Sequence, residues 1–157
     1  LMQGQLVWGG IVALIIAPFD ALDGSLARYQ GRVSPFGAFL DSVTDRYSEI
    51  VLLAGSLIHF LRTGSQLAAG LAFAAITGSL MVSYVKARAE AVGFSAETGI
   101  LTRLERLLVL IPALILQIPL AALWILAVFT HVTALQRVLF VHAQAVRSQK
   151  GDPQSGQ

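Results

Sequence analysis

Five long apolar segments dominate this chain, and short polar stretches separate them. They cover about residues 6–26, 37–61, 67–88, 104–118 and 120–142. A helix that crosses the hydrocarbon core of a bilayer needs roughly 20 mainly apolar residues. The pattern therefore predicts an all-α, polytopic transmembrane helical bundle with five spans. We expect residues 1–142 to form one transmembrane domain and residues 143–157 to form a polar C-terminal tail.

Prolines and small residues refine this picture of the helices. Pro18 lies inside the first span and should kink it, and Pro119 separates the fourth span from the fifth. Gly70, Ala74 and Gly78 recur at every fourth position, which lets helices approach closely in lipid. The stripe favours close packing within the chain, and the seam of a homodimer is the alternative.

The composition excludes an ordinary soluble domain and predicts an orientation. Hydrophobic residues make up 55% of the chain and charged residues 13%, whereas soluble domains average about 25% charged residues. With five alternating spans, ten of the eleven Lys and Arg residues fall on one side, and only Arg62 falls on the other. The positive-inside rule makes that side cytoplasmic. We expect an integral membrane protein with a cytoplasmic working face, a lipid bilayer as partner and no nucleic-acid partner.

Four aspartates lie within or beside the first two apolar segments: Asp20, Asp23, Asp41 and Asp45. Their spacings, i,i+3 in the first pair and i,i+4 in the second, place each pair on one helix face. The connection between the two spans allows antiparallel packing, so the acidic faces can meet. Four clustered carboxylates need cations between them, and the chain has no cysteine to offer thiolate ligands. The pattern therefore indicates an oxygen-ligand site for Mg²⁺ or Mn²⁺.

Two nearby divalent ions suit phosphoryl chemistry because they neutralise a diphosphate and stabilise the attacking and leaving oxygens. One aspartate would then take the proton from an attacking hydroxyl. Three other readings are weighed against this one. The aspartates could be scattered interfacial charges, they could line an ion or solute pathway in a transporter, or they could bind Mg²⁺ in an intramembrane prenyltransferase. Prenyltransferases carry two separate aspartate-rich motifs on distant helices, whereas this chain holds both pairs in one continuous motif.

The whole motif reads Asp20-x-x-Asp23-Gly24-x-x-Ala27-Arg28, then eight residues, then Gly37-x-x-x-Asp41-x-x-x-Asp45. It resembles the signature of the CDP-alcohol phosphotransferase family at every signature position. These integral membrane enzymes transfer a phosphatidyl or similar group from a CDP-linked donor to an alcohol and release CMP. Family members usually have six spans, so the resemblance implies that a first span is missing here.

The resemblance also implies roles for the motif residues. Asp20, Asp23 and Asp41 would be ligands of two metal ions, and Asp45 would be the general base that also touches the second ion. The CDP-lipid site would be formed by Asp20, Asp23, Gly24, Ala27, Arg28, Ser34, Gly37 and Asp41.

A second polar cluster lies at the predicted cytoplasmic ends of the later spans. Its members are Ser83, Lys86, Arg103, Arg106 and Arg137. Converging cations indicate an anionic ligand, since guanidinium groups match phosphate oxygens. Snorkelling to lipid head groups is the alternative, and it is weaker for Arg137, which has apolar neighbours on both sides.

This second cluster resembles the acceptor pocket of the phosphatidylinositol-phosphate and archaetidylinositol-phosphate synthases. The likeness implies that the five residues bind the phosphate of a small polar alcohol, with inositol 1-phosphate favoured. Glycerol 3-phosphate would present the same dianion and is the alternative acceptor. The donor would be CDP-diacylglycerol, or its archaeol counterpart.

Overall fold

The computed structural model describes residues 34–151, and all regular structure in that range is helical. Four helices follow one another: α1 (Pro35–Arg62), α2 (Gln66–Ala91), α3 (Arg103–Ile115) and α4 (Pro119–Gly151). The all-α prediction is confirmed for this range. The first predicted span, residues 6–26, lies outside the described residues.

Two of the described helices, over Gln66–Ala91 and Pro119–Ser148, are long and apolar enough to cross a membrane. The α1 helix has 28 residues but carries several charged side chains in its first half. The α3 helix has 13 residues, which corresponds to a length of about 20 Å, against about 30 Å for the hydrocarbon core. The prediction of five spans is therefore not confirmed.

The described helices pack in a simple order. Helix α2 lies against α1 on one side and α4 on the other, and α3 packs on α4. All four contribute to one apolar core, which consists of Leu53, Leu71, Ala72, Ala75, Leu110, Leu114, Leu123, Leu126 and Ala127. Burial of these side chains fixes the relative positions of the helices that carry the polar residues.

The inward face of α1 changes character along its length. Its buried residues are Asp45, Glu49, Leu53 and Ser56, and their spacing of three or four residues places them on one side of the helix. The first two are acidic, and Leu53 belongs to the apolar core. The half of α1 nearest its N-terminus therefore presents carboxylates to the interior, while the next turn presents a hydrocarbon side chain.

The chain turns at polar or conformationally special residues. Ser34 caps α1 and Pro35 is its first residue, where a missing N–H costs nothing. Gln117 adopts a left-handed conformation with φ 59° between α3 and α4, and Pro119 starts α4, as predicted from its separation of two apolar segments. Helix α4 continues past His142, where we expected the polar tail to begin, as far as Gly151.

Gly78 lies where α2 packs against α4. A Cβ atom at this position would lie 1.9 Å from Thr130 Oγ1 and 2.8 Å from His131 Nδ1. The glycine therefore permits the close approach of the two helices, which agrees with packing within the chain at this position of the stripe. Gly70, at the other end of the stripe, is exposed and has open space around it.

The connection between α2 and α3, residues 92–102, is held against α4. The side chain of Gln144 accepts from Ser95 N at 3.2 Å and donates to Ser95 O at 2.7 Å. Thr133 Oγ1 accepts from Leu101 N at 3.3 Å. Ala96 is fully buried. These contacts bring the end of α2, the start of α3 and the second half of α4 to one end of the bundle.

Candidate functional site

Two of the four predicted metal ligands lie in the described range, one helical turn apart on α1. Asp41 is exposed, whereas Asp45 is only 7% exposed. Ser34 fixes the start of this helix, because its Oγ accepts a hydrogen bond from Gly37 N at 2.9 Å. A hydroxyl that accepts one bond still has a proton to donate, so Ser34 can cap the helix and also contact a phosphate oxygen.

Asp45 forms an ion pair that connects α1 to α3. Its Oδ2 accepts a hydrogen bond from Arg103 Nη1, and Arg46 Nη1 lies 3.8 Å from the same oxygen. Arg103 is the first residue of α3, and 58 positions separate it from Asp45. The structure therefore brings the predicted base next to one of the predicted phosphate-binding residues.

Arg103 has a second hydrogen-bond donor, its Nε–H group, in addition to the Nη1 that contacts Asp45. Its Nε is buried and has no hydrogen-bond partner among residues 34–148. A buried donor that lacks a partner costs free energy, of the order of 1–3 kcal/mol. An anion that accepted from this N–H while Nη1 stayed on Asp45 would remove that cost.

Glu49 and Arg106 form a second ion pair, one turn further along both helices. Arg106 Nε donates to Glu49 Oε1 at 2.6 Å and Nη2 donates to Oε2 at 3.0 Å. The remaining terminal nitrogen, Nη1, donates to Leu101 O at 3.1 Å. Both side chains are almost completely buried, with Glu49 5% and Arg106 2% exposed. This forked geometry holds the guanidinium in one orientation.

Arg137 reaches from α4 to the backbone of two other segments. Its Nη1 donates to Val82 O at 2.7 Å, and its Nε donates to Thr98 O at 2.8 Å. The residue is 5% exposed. Val82 directly precedes Ser83, so Arg137 lies beside the part of α2 that carries two further predicted acceptor residues.

Those two residues, Ser83 and Lys86, lie on the last turns of α2. Ser83 and Lys86 are both partly exposed, and Lys86 Nζ lies 3.6 Å from Glu90 Oε1 on the same helix. An exposed ion pair of this kind contributes little stability, so the Lys86 ammonium is free to exchange partners. Of the five predicted acceptor residues, the structure therefore places two at the start of α3 and three where α2, α4 and the 92–102 connection meet.

The first half of the aspartate motif lies outside the described residues. This applies to Asp20, Asp23, Gly24, Ala27 and Arg28, whose predicted roles stay predictions. Within the described part of the chain, no three His, Cys, Asp or Glu side chains are grouped to hold a metal ion. Asp41 and Asp45 share a helix face and offer only oxygen ligands, which fits half of an Mg²⁺ or Mn²⁺ site. The other predicted ligands of that site, Asp20 and Asp23, lie outside the described range.

Glu49 is the site residue that sequence reasoning left without a role. One signal could have found it, because Glu49 follows Asp45 at i,i+4 and so belongs to the same inward face of α1. Its partner could not have been read in this way, since Arg106 is 57 positions away. The backbone partners of Arg137 were missed for the same reason.

Comparison with known proteins identifies the family to which this chain belongs. The family model for CDP-alcohol phosphatidyltransferases matches residues 1–136. The chain therefore belongs to the CDP-alcohol phosphatidyltransferase family, and the resemblance drawn from the aspartate motif is confirmed. It is an integral membrane enzyme of phospholipid biosynthesis. This assignment decides against the transporter and the prenyltransferase.

Three similar proteins show which members of the family this chain resembles. The phosphatidylinositol phosphate synthase of Mycobacteroides abscessus is 39% identical over 158 residues, covering 94% of this chain and 69% of that protein. The archaetidylinositol phosphate synthase of Pyrococcus horikoshii is 36% identical over 138 residues, covering 87% and 70%. The phosphatidylinositol phosphate synthase of Mycobacterium tuberculosis, solved with CDP-DAG bound, superposes with a TM-score of 0.82 at 30% identity and covers 89% of this chain and 75% of that one.

The Mycobacterium tuberculosis enzyme has also been solved with manganese and citrate. That structure superposes with a TM-score of 0.81 and covers 90% of this chain and 72% of the other. The described helices thus have the fold of an enzyme that holds a CDP-linked lipid in one crystal structure and a divalent metal in another.

Proposed function

We propose that this chain transfers the phosphatidyl group of CDP-diacylglycerol to a hydroxyl of inositol 1-phosphate and releases CMP. The observation that carries the proposal is the contact between Asp45 on α1 and Arg103 on α3. It places a carboxylate that can accept a proton beside a guanidinium that can bind a phosphate. A phosphorylated alcohol needs both groups, one at its reacting hydroxyl and one at its phosphate.

The donor is proposed to bind along the aspartate motif. Asp20, Asp23, Asp41 and Asp45 would hold two divalent ions, Mg²⁺ or Mn²⁺, and the manganese complex of the Mycobacterium tuberculosis enzyme supports a metal of this kind. Such ions, when bound, neutralise the diphosphate and stabilise the oxygen that leaves with CMP. The remaining donor residues would be Gly24, Ala27, Arg28, Ser34 and Gly37. A Cβ at Gly37 would lie 3.0 Å from Ser34 Oγ, so the glycine avoids crowding of the Ser34 hydroxyl.

Asp45 is proposed as the general base. The acceptor hydroxyl loses its proton to a carboxylate oxygen of Asp45 as its own oxygen attacks the phosphorus attached to the lipid alcohol. The new phosphorus–oxygen bond joins phosphatidyl to acceptor, and the bond to CMP breaks. Arg103 holds the carboxylate in place through its hydrogen bond to Oδ2.

The acceptor phosphate is proposed to bind between the start of α3 and the last turns of α2. Arg103 would donate through its buried Nε, and Lys86 would leave Glu90 for the phosphate. Arg106 and Arg137 each retain N–H groups beyond those bonded to Glu49 and to the backbone carbonyls. Ser83 would add a hydroxyl from the same turn of α2.

The position of the site in the membrane is also proposed. We infer that this end of the bundle faces the cytoplasm, where CMP is released and soluble acceptors are available, because the basic residues concentrate there. A homodimer along the exposed Gly70 end of the small-residue stripe remains part of the proposal.

The test is a panel of acceptors presented with CDP-diacylglycerol in mixed micelles. Inositol 1-phosphate, glycerol 3-phosphate, free inositol and serine are compared by the rate of CMP formation. We expect inositol 1-phosphate to give the highest kcat/KM and the unphosphorylated alcohols to give the lowest. Preference for glycerol 3-phosphate would show that the proposed acceptor is wrong and that the proposed type of reaction is right. Preference for free inositol or serine would refute an acceptor-phosphate pocket.

A further inference from the structure

Glu49 is a buried carboxylate to which neither the aspartate motif nor the acceptor pocket assigns a function. It lies on the inward face of α1 between Asp45 and Leu53. Its two oxygens accept from two different nitrogens of Arg106. A carboxylate at this depth needs such a partner, because an unpaired charge away from water is costly.

The geometry extends beyond a single pair. Asp45 and Glu49 are separated by one turn of α1, and their partners Arg103 and Arg106 by one turn of α3. The two helices are therefore joined by two rungs of ion pairs, whereas the extensive helix contacts of α3 are with α4. The rung at Glu49 is almost completely buried, and the rung at Asp45 includes the partly exposed Arg103.

Arg106 also ties this rung to the start of α3. Its Nη1 donates to Leu101 O, and Leu101 N in turn donates to Thr133 Oγ1 on α4. The Glu49 carboxylate thus fixes a guanidinium that fixes the backbone immediately before Arg103. A shift of the Glu49–Arg106 pair would therefore change the orientation of the Arg103 side chain.

We infer that Glu49 is a positioning residue for the acceptor phosphate: by holding Arg106 in a bidentate pair, it sets the geometry of Arg103 and Arg106 at the start of α3. The inference rests on the proposed function, because it requires those two arginines to bind the acceptor. Glu49 itself does not contact substrate. Its effect should therefore fall on acceptor binding and spare donor binding, which depends on the aspartate motif.

The test compares Glu49→Gln with Glu97→Gln. Both substitutions remove one negative charge, but Glu97 lies exposed in the 92–102 connection and serves as the matched control. We expect Glu49→Gln to raise the KM for inositol 1-phosphate by about tenfold or more and to change the KM for CDP-diacylglycerol by less than about twofold. Glu97→Gln should leave both values at those of the unaltered protein.

Glu49→Asp provides a second variant that keeps the charge and shortens the reach by one methylene. It should give an acceptor KM between those of the unaltered protein and Glu49→Gln, and it is the variant to use if Glu49→Gln does not fold. Equal increases in both KM values, or an unchanged acceptor KM in either variant, would overturn the positioning role. Turnover by the unaltered protein tests the proposed function separately, so a failure there is distinguishable from a failure of the Glu49 inference.

Discussion

At the scale of single residues, the site depends on buried charges that are paired across helices. Asp45, Glu49 and Arg106, which are members of such ion pairs, are all less than a tenth exposed. Removing one member of a buried ion pair leaves its partner uncompensated, which typically costs about 3–5 kcal/mol. Substitutions at these residues should therefore change the free energy of unfolding as well as turnover, and both quantities must be measured for each variant.

Asp45→Asn tests the general base. The substitution keeps the size of the side chain but removes its ability to accept a proton, and we expect kcat to fall by about 10²–10⁴-fold or more. Binding of CMP in the presence of Mg²⁺ or Mn²⁺ should be largely retained, since the other three aspartates remain. Turnover is followed by CMP release and nucleotide affinity by calorimetry. Normal turnover in this variant would refute the assignment of the base.

Lys86→Ala and Arg137→Ala test the acceptor pocket from two sides. Both should raise the acceptor KM by about tenfold or more, because a hydrogen bond to a charged group is lost. The donor KM should change much less. Arg88→Ala is the matched control, since Arg88 is an exposed cation on the same helix as Lys86.

The two variants should differ in stability. Among residues 34–148, the ion pair of Lys86 is an exposed one with Glu90, so its removal should leave the unfolding temperature nearly unchanged. Arg137→Ala leaves two carbonyls without their donor and should lower the free energy of unfolding by about 1–3 kcal/mol. Equal changes in donor and acceptor KM for both variants would argue against the pocket.

At the scale of helices, the site exists because α2 and α4 approach closely enough to bring their ends together. Gly78 permits this approach, since its position faces Thr130 and His131. Thr130 is fully buried, and its Oγ1 donates to Leu126 O at 2.6 Å. Its side chain therefore cannot move away from position 78. The contact between these helices therefore leaves no room for even one methyl group.

Gly78→Ala is expected to destabilise the protein by about 1–3 kcal/mol through overpacking. Gly55→Ala is the control, because Gly55 is an exposed helical glycine with open space around it. That change should be neutral or stabilise by up to about 1 kcal/mol through helix propensity. Both are measured by thermal unfolding in the same detergent. A Gly78→Ala variant as stable as Gly55→Ala would show that the helices are not in close contact.

The helices themselves were largely predictable from the sequence. The apolar segments at residues 37–61 and 67–88 correspond to α1 and α2 within a few residues, because hydrophobic runs and flanking Ser, Pro and Gly residues are local signals. The length of α3 was overestimated, since the apolar run through Ile118 continues past the helix end at Ile115. Gln117 adopts the left-handed conformation that turns the chain there, and no glycine in the sequence indicates this turn.

The pairing of side chains was not predictable in the same way. Sequence spacing placed Asp45, Arg103, Arg106 and Arg137 on helix ends that face one side of the membrane. It could not indicate that Arg103 contacts Asp45 or that Arg106 contacts Glu49, because such contacts depend on how the helices rotate and pack. Chemistry was thus encoded locally in the motif, whereas the partners were determined by tertiary structure.

At the scale of the whole molecule, the described helices combine an apolar core with a polar end, at which we propose that the chemistry takes place. The core cluster and the Glu49–Arg106 pair consist of side chains to which we assign no metal ion. We therefore expect metal ions to be needed for catalysis rather than for the fold of the described helices.

Treatment with EDTA tests this division. Turnover should be lost on removal of divalent ions, because the negative charge of the donor diphosphate is then not neutralised. Turnover should return on addition of Mg²⁺ or Mn²⁺. Helix content measured by circular dichroism should stay the same. Full turnover after exhaustive chelation would contradict the proposed role of the four aspartates.

The most direct measurement of the central claim is the mass spectrum of the lipid formed from CDP-diacylglycerol and inositol 1-phosphate by the purified protein. Our account predicts phosphatidylinositol phosphate, formed in a one-to-one ratio with CMP and only when a divalent metal is present. A different lipid product, or pyrophosphate in place of CMP, would contradict it.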